Sequence, residues 1–477
     1  MSRSLIASWT VALLLAGGLL FASGATATDP ACITDSTPIY DASTPPKVVD
    51  ADLIDSAPCG VYNTVSSRFQ RVCDANNVCA EVQVSVPYMK HEATGNVKAI
   101  AVLLAGGDGE AHLTPDSCIN NNPPCDPVPL THSGGNFLVR SAQLFAERGF
   151  RALTIDQPSP LPSGDTCGIS GECYDVYRVS QRHSLDIAAV VRKENPGHKP
   201  VFLVGTSRGT ESAVAQNVLG VGSMLSSPVT LAPVTPATNP PTAQVPNPCD
   251  ANHKPYVDDC YYGQLKAPSV TVPVQILMHE EDPNTTACYV ATVQDAQNLR
   301  DDLKTNGNNG VGVDTFFHQE TGGFEVVDPN TGQVVDACGH ESFHGFLGIE
   351  SEVVHRIDRR MTLILQDIAN TPDTTTPISG NATRTLDTSV QTSRTINLAN
   401  LASDADNDPL TFALPGGPHS ARGAVLSLSG AVATYDTTGA AFMSQGTATV
   451  HDAFVYVTSD GKGRKSFGVV KVTVTVP

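Results

Sequence analysis

The stretch PVFLVGTSRGTES, residues 200–212, decides the fold. Pro200 to Val204 is an unbroken apolar run, the pattern of a strand buried on both faces. Gly205-Thr206-Ser207-Arg208-Gly209 follows at once, and Ser212 to Leu219 continues with helical spacing. A G-x-S-x-G turn between strand and helix puts the serine on a sharp bend at the top of a sheet. The two glycines let the chain turn sharply between strand and helix. The bare motif is weak evidence in a chain with 39 glycines. Its position between a buried strand and a helix gives it weight.

Outward from the turn, the chain alternates apolar strands with longer helical patterns, the rhythm of an α/β fold. Lys98 to Leu104 (KAIAVLL) reads as a buried strand, Phe137 to Glu147 as a helix, and Arg151 to Ile155 as a strand ending at Asp156. Val176 to Lys193 has helical spacing. Leu225 to Leu231, Pro273 to Met278 and Gly312 to Phe317 are further strands, and Glu350 to Ile368 is a long closing helix. Between Pro233 and Pro255 lies a Pro/Asn/Thr-rich insertion, where a lid or an irregular loop would sit.

A nucleophilic Ser207 needs a base, and the base needs an orienting acid, here in the chain order Ser, acid, His. After the Pro273 strand come His279, Glu280, Glu281 and Asp282. Asp282 is the expected acid, with Glu280 and Glu281 as alternatives. His344, in His344-Gly345-Phe346 before the closing helix, is the expected base; His340 and His318 are the alternatives. The oxyanion needs backbone donors. Arg208 supplies one N–H, and the loop Leu104-Ala105-Gly106-Gly107-Asp108-Gly109 supplies a second from Gly106 or Gly107.

A rival pattern overlaps the base. His340-Glu341-Ser342-Phe343-His344 matches the H-E-x-x-H zinc helix. That chemistry needs both histidines on one helical face, and Gly339 and Gly345 make the stretch poor helix. Asp156 could line a pocket from its strand end, and His183 with Asp186 reads as a pair on a helix surface.

With these residues in view, the region from Val102 to about Ile368 resembles the serine α/β-hydrolases. The stretches LLAGGDG, NFLVRSAQLFAERGF, VFLVGTSRGTESA and HGFLGIE carry the likeness to bacterial members of undefined substrate. The resemblance implies an eight-stranded, mostly parallel sheet with helices on both faces, and ester-type hydrolysis.

The ends of the chain read differently. Residues 1–27 have a signal-peptide pattern: Arg3, an apolar run from Ile6 to Phe21, and Ala25-Thr26-Ala27 as cleavage site. Export implies a secreted or periplasmic protein in an oxidising compartment, and the twelve cysteines agree. All are expected in disulfides. Close neighbours are Cys73 and Cys79, Cys118 and Cys125, Cys167 and Cys173, and Cys249 and Cys260, with Cys32 and Cys59 at the start. This leaves Cys288 and Cys338, which follow the acid and precede the base. The catalytic domain is expected over 28–370, a Thr/Pro linker over 371–377, and a small all-β sandwich over 378–477. That tail, with DADNDPLT at 404–411 and TSDG at 458–461, resembles a bacterial cadherin-like or immunoglobulin-like module. The resemblance implies a spacer or adhesive domain with structural calcium. Asp404, Asp406 and Asp408 are the expected ligands, since alternating carboxylates gather hard oxygens.

Composition narrows the function. The chain has 477 residues, 40% of them hydrophobic, and a net charge of -19. No basic cluster suits a nucleic acid, and no second apolar run suits a membrane span after signal cleavage. The expectation is a secreted serine hydrolase acting on small or polymeric carboxylic esters through an acyl-enzyme, with no cofactor for catalysis. A peptidase or polyester depolymerase is the alternative enzyme. An inert hydrolase fold serving surface binding is the alternative outside enzymes.

Overall fold

A computed structural model describes residues 37–52, 60–73, 79–107, 111, 113, 136–159, 177–228, 270–282, 292–337, 339, 342–373, 375–444 and 448–477. The signal-like segment, the 233–255 insertion and His340 lie outside these. So do ten of the cysteines expected in disulfides: Cys32, Cys59, Cys118, Cys125, Cys167, Cys173, Cys249, Cys260, Cys288 and Cys338. Cys79 is described in full and Cys73 in its backbone.

The chain opens with a short antiparallel hairpin, β1 (Thr37–Tyr40) and β2 (Val48–Asp52). Eight strands then build the main sheet: β3 (Val61–Cys73), β4 (Cys79–His91), β5 (Ala99–Leu104), β6 (Phe150–Ile155), β7 (Val201–Thr206), β8 (Gly222–Ser226), β9 (Val274–His279) and β10 (Thr315–Glu320). Their spatial order is β10-β9-β8-β7-β5-β6-β4-β3. Strand β4 runs antiparallel to both β3 and β6, and all other pairs are parallel. The expected mostly parallel eight-stranded sheet is therefore present. The long β3–β4 hairpin at its edge has no counterpart in the sequence reading. Its polar/apolar alternation is masked by a bulge between Ser66 and Phe69.

Central strands are buried on both faces, so their side chains divide between two cores with period two. Ile100, Val102 and Leu104 of β5 join one core; Ala99, Ala101 and Leu103 join the other. Among the described residues, six helices pack on the sheet: α1 (Phe137–Arg140), α2 (Ala142–Glu147), α3 (Gln181–Glu194), α4 (Gly209–Ala215), α5 (Val293–Gly310) and α6 (Glu350–Asn370). Helices α3 and α5 feed the first core, and α1, α2 and α6 the second. The helix expected over 137–147 is broken at Ser141. Its N–H bonds back to Phe137 O, and a new helix starts there.

The tail forms two facing sheets, beside a short antiparallel pair of Ile378–Ser379 with Ala402–Ser403. One holds Ala382–Asp387, Lys465–Val476, Ala448–Ser459 and Thr411–Ala413; the other holds Ser393–Asn397, Val432–Asp436 and Val425–Ser429. Leu386, Ile396, Leu426, Tyr435, Phe454, Tyr456 and Val472 fill the space between, so this is an all-β sandwich. It is not a free spacer. Ala453, Val455, Val457 and Val469 enter the first core of the main sheet. Gln181 at the start of α3 accepts the Val455 N–H at 2.8 Å and donates to Val455 O at 3.3 Å. Arg422 meets Glu81 of β4 at 2.6 Å. The segment read as a linker is anchored too: the Asp373 side chain is buried 3.2 Å from Arg464.

Candidate active site

Strand β7 and helix α4 meet at Ser207, whose φ is +51°. A non-glycine residue in the left-handed region is costly, and such strain gathers at functional turns. Here the surroundings enforce it. The Ser207 N–H is held by Ser226 O at 3.0 Å, and Ser207 O accepts the Thr210 N–H at 2.9 Å. A Cβ on Gly205 would lie 2.3 Å from Gly209 O, and one on Gly209 would lie 2.0 Å from Leu104 O. Both glycines are therefore fixed by close approach of strand, helix and neighbouring loop. Arg208 caps α4, so its N–H belongs to the helix N-terminus beside the serine.

The loop after β5 abuts this turn. A Cβ on Gly106 would stand 2.8 Å from Ser207 Cβ and 3.4 Å from its Oγ. Gly107 has φ +60°, a conformation few other residues accept. Of the two glycines of the expected oxyanion loop, Gly106 thus lies against Ser207, and Gly107 follows it in the same turn.

Asp282 follows β9 and is buried, whereas Glu280 and Glu281 beside it are exposed. His344 is buried in a single 3-10 turn, Phe343–Gly345, closed by Phe346 in the left-handed region. The two meet: His344 Nδ1 is 3.1 Å from Asp282 Oδ1 and 3.2 Å from Oδ2. An ionised carboxylate on Nδ1 selects the tautomer with the proton there and the lone pair on Nε2. His344 Nε2 is buried with no hydrogen-bond partner among the described residues, so its contact to Ser207 Oγ is not closed in this state. Nucleophile–base bonds of this kind often tighten only with substrate.

Several buried contacts set this geometry. Phe343 stacks on His279, centroids 4.4 Å apart and planes at 7°. His279 Nε2 bonds Gly322 O at 2.7 Å, and its Nδ1 accepts the Glu281 N–H at 3.1 Å. Arg140 Nε donates to Glu350 Oε1 at 2.8 Å, and its Nη2 donates to Gly345 O. Glu350 Oε2 takes the Gly348 N–H at 3.0 Å. The sequence reading missed these supports. A lone Arg140 inside the apolar Phe-Leu-Val-Arg turn, and Glu350 in HGFLGIE, were the available signals.

Other candidates fall away from the site. His318 lies within β10 and pairs with Glu320. Of the H-E-x-x-H stretch, His344 sits in a single 3-10 turn over 343–345, and His340 and Glu341 lie outside the described residues. His183 and Asp186 are not the expected surface pair; both are fully buried. Asp186 pairs with Arg68 at 3.1 Å and accepts the Tyr177 hydroxyl at 2.8 Å. Burial, with Arg178 and Arg68 nearby, holds the His183 imidazole well below its ordinary range. Asp156 is buried and binds two backbone amides, at Ala111 and Leu113.

Cys79 is disulfide-bonded, and Cys73 is its register partner across the β3–β4 hairpin. In the tail, the carboxylates that gather are Asp373, Asp406 and Asp408, with oxygens within 4.8 Å of one another. Asp404, expected as a ligand, instead takes the N–H groups of Asp406 at 2.9 Å and Asp408 at 3.4 Å. The cluster fits a hard cation. Asp460, 4% exposed, faces Asp373 and keeps Oδ2 without a hydrogen bond. Lys462 Nζ, 2.6 Å from Asp408, is the competing charge.

A sheet of this order, carrying a left-handed serine after β7 with acid and histidine after β9 and β10, defines the α/β-hydrolase fold. No family model matches the chain, and no curated protein does. Solved structures with a similar arrangement include a Pyrococcus furiosus esterase, 14% identical over 67% of this chain and 97% of that one, TM-score 0.31. A soluble variant of Saccharomyces cerevisiae monoglyceride lipase, bound to a substrate analogue, is 13% identical over 63% and 94%, TM-score 0.34. A Pyrococcus horikoshii acylaminoacyl peptidase is 13% identical over 55% and 37%, TM-score 0.31. Likeness this slight assigns no activity; the class rests on the sheet order and the turn.

Proposed function

We propose that the chain is a serine hydrolase of carboxylic esters. The observation that carries this is the Asp282–His344 contact, which leaves a buried, unoccupied Nε2 on the same sheet edge as the strained Ser207. Ser207 Oγ attacks the ester carbonyl carbon while Nε2 takes its proton. The carbonyl oxygen becomes an oxyanion, met by the N–H of Arg208 and a donor of the Gly106–Gly107 loop, usually the largest catalytic term. The bond to the alkoxy oxygen then breaks, and the Nε2 proton leaves with the alcohol. Water attacks the acyl-enzyme by the same route, releasing the acid and restoring Ser207. None of these steps calls on a cofactor.

The reading includes export. Its supports are the signal-like segment and the disulfide at Cys79, a bond that persists in oxidising compartments.

Turnover of p-nitrophenyl esters tests the proposal, with peptide anilides and polyester films as parallel substrates. Ester cleavage that falls on the order of 10⁶-fold in Ser207→Ala, with the fold intact, is expected. Cleavage of anilides or films but no small ester would move the substrate class. Activity retained in Ser207→Ala would remove the assignment.

A further inference from the structure

The loop beside Ser207 is rich in glycine and should be soft, yet it is clamped from below by one buried cation. Arg178 is 2% exposed. Its Nη2 donates to Ala105 O at 3.0 Å and Gly107 O at 3.2 Å, and lies 3.5 Å from Gly106 O. Its Nη1 donates to Ser212 Oγ at 3.2 Å, on the helix that Ser207 introduces. We propose that Arg178 is a positioning residue for the oxyanion donors, acting through the peptide units of residues 105–107; the inference rests on the serine hydrolase reading.

The physical argument runs through peptide planarity. The carbonyl of Ala105 and the N–H of Gly106 are two ends of one rigid trans unit, as are the carbonyl of Gly106 and the N–H of Gly107. In such a unit the two ends point in opposite directions. Carbonyls drawn onto one guanidinium therefore turn the N–H groups of Gly106 and Gly107 away from it, while Gly106 sits against Ser207. A cation at the carbonyl end also deepens each peptide dipole and makes its N–H a stronger donor. The fork of Arg reaches several oxygens at fixed angles, which the point charge of Lys does not reproduce. Preorganisation of this kind raises rate because the donors need no rearrangement as charge develops.

The surroundings keep the charge in place. Gln216 Nε2 donates to Arg178 O at 2.9 Å, and Gln216 is itself tied to Ser184 Oγ at 2.6 Å. Further along, Asp156 accepts the N–H groups of Ala111 and Leu113, both at 2.7 Å. A cation on carbonyls and an anion on amides thus fix the loop at two points. Arg178 is buried against the loop's carbonyls and acts through them.

The test compares Arg178→Lys with the parent chain on matched p-nitrophenyl oxo- and thionoesters. Sulfur is a poor acceptor, so the oxo/thiono rate ratio reports oxyanion donors and is blind to general damage. Expected are a kcat lower by roughly 30- to 100-fold, KM within about threefold, an unchanged pH profile, and a ratio that collapses towards one. Ser212→Ala, a milder change to the same fork, should lose kcat several-fold with the same fall in ratio. It serves if Arg178→Lys does not fold. Unchanged kcat, or a lower kcat with the ratio intact, overturns the proposal. A parent chain that hydrolyses neither ester fails the serine hydrolase reading instead.

Discussion

Arg140 and Glu350 meet at 2.8 Å beneath the His344 turn, with side chains 2% and 1% exposed. Their outer atoms bind Gly345 O and Gly348 N–H, on the chain just past His344. The pair is thus a bracket for the turn that carries His344. Removing one member of a buried pair leaves a charge without compensation, at a cost of about 3–5 kcal/mol. Glu350→Ala should lower the urea midpoint accordingly, and kcat should fall by more than the unfolded fraction accounts for. Equal kcat per folded molecule would show that the bracket does not position His344.

Asp282→Asn should keep the fold and lose about 10⁴-fold in kcat, because an amide no longer selects the Nδ1–H tautomer. Steady-state ester kinetics beside circular dichroism measure this. A loss below tenfold would return the acid role to Glu280 or Glu281.

The candidate site was legible where it depends on local chain geometry. The Gly205–Gly209 turn requires small residues at two fixed positions, and these stand out between a strand pattern and a helix pattern. Asp282 and His344 were readable because each sits just past a strand or before a helix. Arg178, Arg140 and Glu350 were not, since their roles come from contacts across 73, 205 and 210 positions of chain. The β3–β4 hairpin was hidden by mixed composition. The docking of the β-module was hidden because Ala453, Val455 and Val457 look like ordinary inward residues of its own sandwich.

The docked module carries a pH signature. Burial lowers the Lys465 ammonium to about 8, and its Nζ donates to Gly220 O beside the main sheet at 3.0 Å. The folded value lies below the unfolded one, so the unfolded chain holds the extra proton between pH 8 and about 10.5. The cost of charging Lys465 is fully present below pH 8 and fades as pH rises through that window. The parent chain should therefore gain stability from pH 8 to 10.5 relative to Lys465→Met, by no more than about 3 kcal/mol. Parallel curves for the two proteins would contradict this.

We propose that a calcium ion is held by Asp373, Asp406 and Asp408, with Asp460 behind them. Hard oxygens in this number suit calcium. Because Asp373 precedes the sandwich, binding should raise the thermal midpoint of the whole chain and not of the tail alone. Titration calorimetry on the full chain should give one site, weakened at least tenfold in Asp373→Asn. An absence of heat with millimolar calcium would exclude it.

The central claim is that Ser207 is an activated nucleophile. Incubation with a fluorophosphonate, followed by intact-mass and peptide analysis, tests it most directly. The account predicts one adduct per chain, on Ser207, lost in His344→Ala and unaffected by EDTA. No adduct on folded protein, or an adduct on any other serine, would contradict it.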